Sequence, residues 1–252
     1  MLNVVTSEIY KIIKSKVLYG VMSIFLVMNL FSTFSAVKEK LTSSSGNAVN
    51  ESLKTGIYIF QSSYGADGIL YVVILFAVFM IISEYINKSI RQMACHGISR
   101  WKLVLGQYIA LSLISTIIVL GFGYLNLFIF TILFELGNID VAAFIAMNLG
   151  IIFIVWAVCA LGVLISHLIR NMGVSIIVSM LLIAGSNFFA SFINMLVKNE
   201  SYKIYGFSGM RNVITDFSST PGDIFNCSLT LLVFSIIMII LTSIVFTKRD
   251  IY

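Results

Sequence analysis

The sequence predicts an all-α, polytopic membrane protein with six transmembrane helices, an N-terminal helix in the membrane surface and a second surface helix between spans two and three. Two observations carry this prediction. Of the 252 residues, 59% are hydrophobic and 11% charged, more apolar surface than a soluble domain of that length can bury within itself. The charged residues are also clustered, and the stretches between clusters are long enough to cross a hydrocarbon core, which takes about 20 residues of helix. The clusters therefore read as loops and boundary segments, and 1–252 as a single membrane-spanning domain.

In residues 2–16, Leu2, Val5, Ile9, Ile12 and Ile13 recur at helical spacing, with Glu8, Lys11 and Lys14 off that stripe. This is the pattern of an interfacial helix. The run at about 17–36 is longer than the apolar core of a signal peptide and lacks a small-residue cleavage site, so it reads as a retained first span. Further spans are predicted at about 69–83, 103–134, 141–166, 173–197 and 228–247. The third is long enough to tempt a division at Gly121 and Gly123, but no polar turn separates the halves, and one long or bent helix is expected. Two connections are long. Residues 38–67 contain SSSGN and read as a mobile loop, while 198–227 hold the only proline, Pro221, and a semi-apolar piece, IYGFSGMRNVITDF, expected to dip back to the membrane surface.

Charge then chooses the sides. With the N-terminus in the cytoplasm, ten of the sixteen Lys and Arg residues fall on the inner side, in the shorter segments, as the positive-inside rule requires. Both termini are thus expected in the cytoplasm of a bacterial cell, with the chain in its plasma membrane. The basic residues flank spans, so the net charge of +5 reads as a topology signal and not as a nucleic-acid interface. Cys95, Cys159 and Cys227 sit at different depths in this topology, and no disulfide is expected.

Several chemistries lack their residues. No Gly is followed by Lys, which excludes the phosphate loop G-x-x-x-x-G-K-[ST]. No H-E-x-x-H helix exists, the two histidines, His96 and His167, lie at span edges, and no catalytic or metal-ligating set is predicted. No span core carries an Asp, Glu, Lys, Arg or His, whereas ion-driven carriers usually keep such a group at mid-membrane. Energy for any transport is therefore expected from another protein.

The densest polar feature is EYINKSIRQMACHGISRWKLVLGQY, Glu84 to Tyr108. Ile86, Ile90, Met93 and Ala94 recur at three to four residues, predicting a short surface helix; Gly97 breaks it, Ser99 can cap the next helix, and Arg100, Trp101 and Lys102 anchor that helix at the interface. Glu84 and Arg100 flank this helix, and an ion pair between them is expected to fix its exit from span two and its entry into span three.

The order Glu84, Ile90-Arg91, Gly97-Ile98-Ser99-Arg100 and Lys102 resembles the loop of permease subunits in ABC transporters of the type-2 export class. The N-terminal SEIYKIIKSK is similar to that family's amphipathic entry helix, and the closing FTKRDIY resembles its basic, acidic-tipped end. The resemblance implies an ATPase-coupling role for Glu84, Ile90, Arg91, Gly97, Ser99 and Arg100, and an interfacial entry helix carrying Glu8 and Lys11. It also implies a cytoplasmic ABC ATPase that holds ATP-Mg, a second permease, identical or related, and no cofactor on this chain. Surrounding lipid completes the expected partners. Small members of the class export amphipathic peptides or confer antimicrobial-peptide resistance or immunity, so a hydrophobic or amphipathic peptide is the expected substrate. The alternative is a non-transporting membrane immunity or sensor protein that binds a peptide.

Overall fold

A computed structural model describes residues 2–43, 55–95, 99–133, 135–137, 140–197, 205–216 and 219–248. The helices among them are α1 (Leu2–Lys14), α2 (Lys16–Ser43), α3 (Gly56–Tyr64), α4 (Gly68–Ile86), α5 (Ser89–Cys95), α6 (Arg100–Leu133), α7 (Val141–Ile169), α8 (Met172–Val197), α9 (Phe207–Thr215) and α10 (Pro221–Lys248). Six of them, α2, α4, α6, α7, α8 and α10, are long and apolar enough to cross a membrane. The chain is an all-α, multi-pass membrane protein, as predicted.

The helix ends follow local chemistry. Ser15 separates α1 from α2: its Oγ accepts from the backbone N–H groups of Val17 at 3.1 Å and Leu18 at 3.3 Å, pairing two donors that a helix start otherwise leaves open. Asp140 serves α7 in the same way through the Ala142 N–H at 3.0 Å. The last span begins at Pro221, well ahead of the expected 228. Thr220 Oγ1 accepts from the Asp223 N–H at 3.3 Å and donates to its carboxylate at 2.7 Å, and a proline in the first turn loses no helix hydrogen bond. Polar Asn226 and Ser228 masked this helix start in the sequence.

The third span is a single helix of 34 residues, about 50 Å at the α-helical rise. Gly123 does not break it. The Tyr64 ring of α3 lies against that glycine, with its hydroxyl donating to the Val119 carbonyl at 3.3 Å; any side chain at 123 would take the ring's place. The 38–67 connection thus contains a helix, α3, and the 198–227 connection contains α9, the semi-apolar piece expected at the membrane surface. Of the SSSGN segment, Ser43 ends α2 and the rest lies outside the described residues.

Burial separates a core from a periphery. In α4, α6 and α7, 61%, 67% and 72% of the apolar window is buried, against 22%, 17% and 22% in α2, α8 and α10. Between α6 and α7, Trp156 Nε1 donates to Thr116 Oγ1 at 3.1 Å and Cys159 Sγ lies 3.5 Å from Ser115 Oγ, small polar contacts of the kind that hold helices together in lipid. Cys159 and Cys227 are free thiols. The peripheral helices turn large side chains outward, among them Phe31 (75% exposed), Met195 (78%) and Phe225 (65%).

Short elements close the two ends of the bundle. At one end lie α1, α5 and the last turn of α10. At the other lie α3 and α9, joined by Gln61 Nε2 donating to the Thr215 carbonyl at 2.9 Å. There Arg211 of α9 also pairs with Asp67 at the start of α4, and Ser208 Oγ donates to the same carboxylate oxygen at 2.7 Å.

Candidate functional site

At the α1 and α5 end a row of polar side chains crosses an otherwise apolar packing. Glu84 stands in the last turn of α4, Gln107 near the start of α6 and His167 in the last turn of α7. Three spans of alternating direction thus bring one hydrogen-bonding group each to the same depth. Gln107 Nε2 donates to Glu84 Oε2, which leaves the Gln107 carbonyl oxygen to face His167 Nε2 at 3.2 Å. An acceptor there requires the imidazole proton on Nε2. Nδ1 is then the acceptor for the Tyr85 hydroxyl, 2.5 Å away. The Arg170 guanidinium lies 5.2 Å from the centre of the Tyr85 ring, within the reach of a cation–π contact.

Lys11 of α1 joins this row to the surface helices. Its Nζ lies 2.6 Å from Glu8 Oε1, 3.4 Å from Glu84 Oε1 and 3.5 Å from the sulfur of Met93 in α5. Burial alone would lower the pKa of this ammonium, but the carboxylates of Glu84 and Glu8 outweigh that cost and raise it above the ordinary 10.5. The row is deeply buried, with Glu8 2%, Glu84 7%, Gln107 1% and His167 1% exposed. In such surroundings each contact is strong and each lost partner is costly.

These contacts change the expected role of α1. A helix floating on lipid would turn its charges to water, yet Glu8 points into the bundle while Tyr10 and Ile13 stay exposed. The reason is the shared cation, which gives Glu8 and Glu84 a common partner and offsets part of their desolvation. Close packing adds to it. A Cβ at Gly106 of α6 would meet Val4 Cγ1 at 2.7 Å, so the glycine is what lets α1 approach.

Among the other predicted positions, Ile90 anchors α5, its side chain 1% exposed in the apolar core. Lys88, at φ 58°, makes the left-handed turn that separates α4 from α5. The backbone of Arg91 lies within α5, and Gly97 lies outside the described residues. Ser99 precedes α6 through its carbonyl, which accepts from Lys102 N at 3.0 Å and Leu103 N at 3.3 Å. Its hydroxyl is buried with no hydrogen-bond partner among the described residues, so the expected side-chain cap is not made.

The expected Glu84–Arg100 ion pair is also replaced. Glu84 faces Lys11 and Gln107, whereas Arg100 Nη1 donates to the carbonyls of Phe246 at 3.4 Å and Thr247 at 3.0 Å in the last turn of α10. A cation placed at a helix C-terminus meets its negative dipole end and its open carbonyls. Each charge has a nearer partner on another helix than the one across α5.

Gln107, His167, Tyr85 and the Lys11–Glu84 contact carry no sequence motif. Their signal was one of depth: Glu84 and His167 each precede the end of a span by two residues, and Gln107 follows the start of one. Among the described residues no group of three His, Cys, Asp or Glu side chains is placed to hold a metal ion.

A search of curated proteins finds no match. A family model described as ABC-2 family transporter protein matches residues 2–251, nearly the whole chain. The chain therefore belongs to the ABC-2 transporter family, and it is a membrane permease subunit of an ABC transporter.

Proposed function

We propose that this permease is one half of an ATP-driven exporter of hydrophobic or amphipathic peptides, in which a cytoplasmic ABC ATPase acts on α5 and the buried polar row carries its movement into the spans. The contact carrying this reading is Lys11, which touches α5 through Met93, α4 through Glu84 and its own helix through Glu8. Through Glu84 the row continues to Gln107 of α6 and His167 of α7. A push on α5 therefore reaches three spans without crossing a soft, purely apolar contact. Glu84, Ile90, Arg91, Gly97, Ser99 and Arg100 are the coupling residues in this proposal, with Glu8 and Lys11 holding α1 as its strut.

The excess of Lys and Arg at the α1 and α5 end supports a cytoplasmic location for that end. Apolar wall chemistry supports the substrate class: a cavity of about 530 Å³ between α7, α8, α9 and α10 is lined by Leu182, Phe189, Phe234 and Met238 among others. A second permease, the same chain or a relative, would face it to complete the pathway.

The test is reconstitution of the permease with the ATPase that co-purifies with it, in inside-out vesicles supplied with a labelled amphipathic peptide. ATP-dependent uptake is expected, with no ATP hydrolysis by the permease alone. Peptide binding without ATP-dependent uptake would instead favour an immunity or sensor role. A cysteine at Ser44 should react with an impermeant reagent added to whole cells, and one at Ser89 should not; the reverse pattern would overturn the topology.

A further inference from the structure

The charges around α1 divide between two faces. Glu8 and Lys11 turn toward the bundle, whereas Lys14 and the neighbouring Lys16, at the start of α2, are exposed. Among the described residues of this end the only acids are Glu8 and Glu84, both buried, while Lys14, Lys16, Lys88, Lys102 and Lys248 are all exposed. Hiding the acids leaves a surface of one sign. Neither Lys14 nor Lys16 meets a carboxylate among the described residues.

Lys14 and Lys16 stand on either side of Ser15, the corner between α1 and α2. The Lys14 ammonium lies 4.6 Å from the centre of the Tyr10 ring, a contact that holds the cation without neutralising it. From Lys16 the outward face of α2 continues through Tyr19, Ser23, Leu26 and Leu30, spaced three and four residues apart and all exposed, while Leu18, Val21 and Phe25 fill the buried face. Beside this strip Gly20 has nothing within 4 Å of where a Cβ would stand, so the surface below Lys16 is open. Because α2 is long and apolar enough to cross the membrane, its outward face meets acyl chains. The corner therefore sets two cations at the head of an apolar strip.

That continuity selects the occupant. An acidic segment of another protein would match the lysines but not the strip that runs on from them into the bilayer, and a free phosphate would use the lysines alone. A phospholipid with an anionic headgroup matches both. Tyr10, Ile13 and Tyr19, exposed beside the lysines, suit the boundary between headgroups and chains. A zwitterionic headgroup brings its own cation and gains less from the corner.

We propose that the α1–α2 corner binds an anionic phospholipid, its phosphate on Lys14 and Lys16 and one acyl chain along Tyr19, Ser23, Leu26 and Leu30. Bound there, the lipid pins the corner from which α1 reaches Glu84 and Met93 through Lys11. The site does not depend on the export reading.

The experiment titrates the full permease, in a mild detergent, with phosphatidylglycerol or phosphatidylcholine of the same chain length, each carrying a photoreactive group in one chain. Bound lipid is counted by native mass spectrometry, and the labelled positions are mapped after illumination. Phosphatidylglycerol should bind about twentyfold more tightly, since each lysine near an anionic surface is worth about fivefold, and should label residues 19–30. Lys14→Gln with Lys16→Gln should remove both the preference and the label. Lys88→Gln with Lys248→Gln, an equal loss of charge elsewhere on the same end, should keep both, as should Lys14→Arg with Lys16→Arg. Equal effects of the two glutamine pairs would overturn the site in favour of a diffuse charge effect. Glycerol phosphate competing as strongly as phosphatidylglycerol would reduce it to a free-phosphate site and overturn the lipid. Loss of the label on assembly with the ATPase or a second permease, with Lys14 or Lys16 then cross-linked to that protein, would assign the corner to the partner instead.

Discussion

Both ends of the bundle are tied by a cation between two helices, but their burial is reversed. At the α1 and α5 end the acids are hidden and the base reaches outward, with side-chain exposures of 3% for Glu8 and 9% for Glu84 against 32% for Lys11. At the α3 and α9 end the base is hidden, Arg211 at 9%, and its acid, Asp67, is 44% exposed. The first tie also continues through Gln107 and His167 into two more spans, whereas the second ends at Asn212 on its own helix. One end therefore links α1 to three spans through a single polar row. At the other, water can take over at Asp67 but not at the buried Arg211.

The contrast is broken most sharply at Glu84. Glu84→Leu removes the acceptor of Gln107 and one of the two carboxylates on Lys11, and stranding buried partners typically costs about 3–5 kcal/mol. The exposed part of Lys11 softens this, so a loss of about 3 kcal/mol is expected, read as a lowered midpoint of thermal unfolding in detergent. Glu84→Gln keeps the shape and should cost less stability, while still reducing peptide-stimulated ATP hydrolysis in the complex. A variant with normal coupling would remove Glu84 from the proposed path.

Gly106 tests whether α1 must be seated for this end to act as a unit. Gly106→Leu pushes into Val4, and overpacking of this kind costs about 1–3 kcal/mol. Protease cleavage within residues 2–16 should accelerate, and Val4→Ala should partly restore protection. Unchanged protection would mean that α1 does not depend on the close approach.

At the opposite end the reversed burial predicts an asymmetry. Arg211→Met leaves Asp67 with water to solvate it and should cost about 1 kcal/mol. Asp67→Ala leaves the buried Arg211 with only Asn212 and should cost more. Equal losses in unfolding experiments would show that the two exposures do not govern the pair.

The same contrast explains what sequence reasoning could reach. Spans were legible because apolar runs and charge clusters report on lipid directly, and α5 was legible from the spacing of Ile90 and Met93. At Gly123 the missing polar turn was enough to expect an unbroken helix, but only the position of Tyr64 shows what the glycine makes room for. Glu8 read as a solvent-facing charge because Glu84, the carboxylate that shares its Lys11 partner, lies far along the chain. Glu84 and Arg100 were placed together since sequence shows distance along one loop, while their true partners come from α1, α6 and α10.

The smallest expected effect on stability concerns Arg100, which ties the start of α6 to the end of α10. Its Nη1 reaches two carbonyls that the last turn of a helix leaves open, and a cation in that position is worth about 0.3–1 kcal/mol. Losing these two carbonyl contacts in Arg100→Ala should contribute about 0.3–1 kcal/mol of destabilisation. Arg100→Lys keeps the charge but loses the planar fork, and should fall between the two. The charge swap Glu84→Arg with Arg100→Glu separates this arrangement from a direct pair across α5. Because the two side chains have different partners, the swap places a cation beside Lys11 and an anion at the C-terminus of α10, both repulsive. It should be worse than either Glu84→Gln or Arg100→Ala alone in stability and in ATPase coupling. Recovery by the swap would mean that Glu84 and Arg100 meet in the working cycle, and the α6–α10 tie would then be only its resting state.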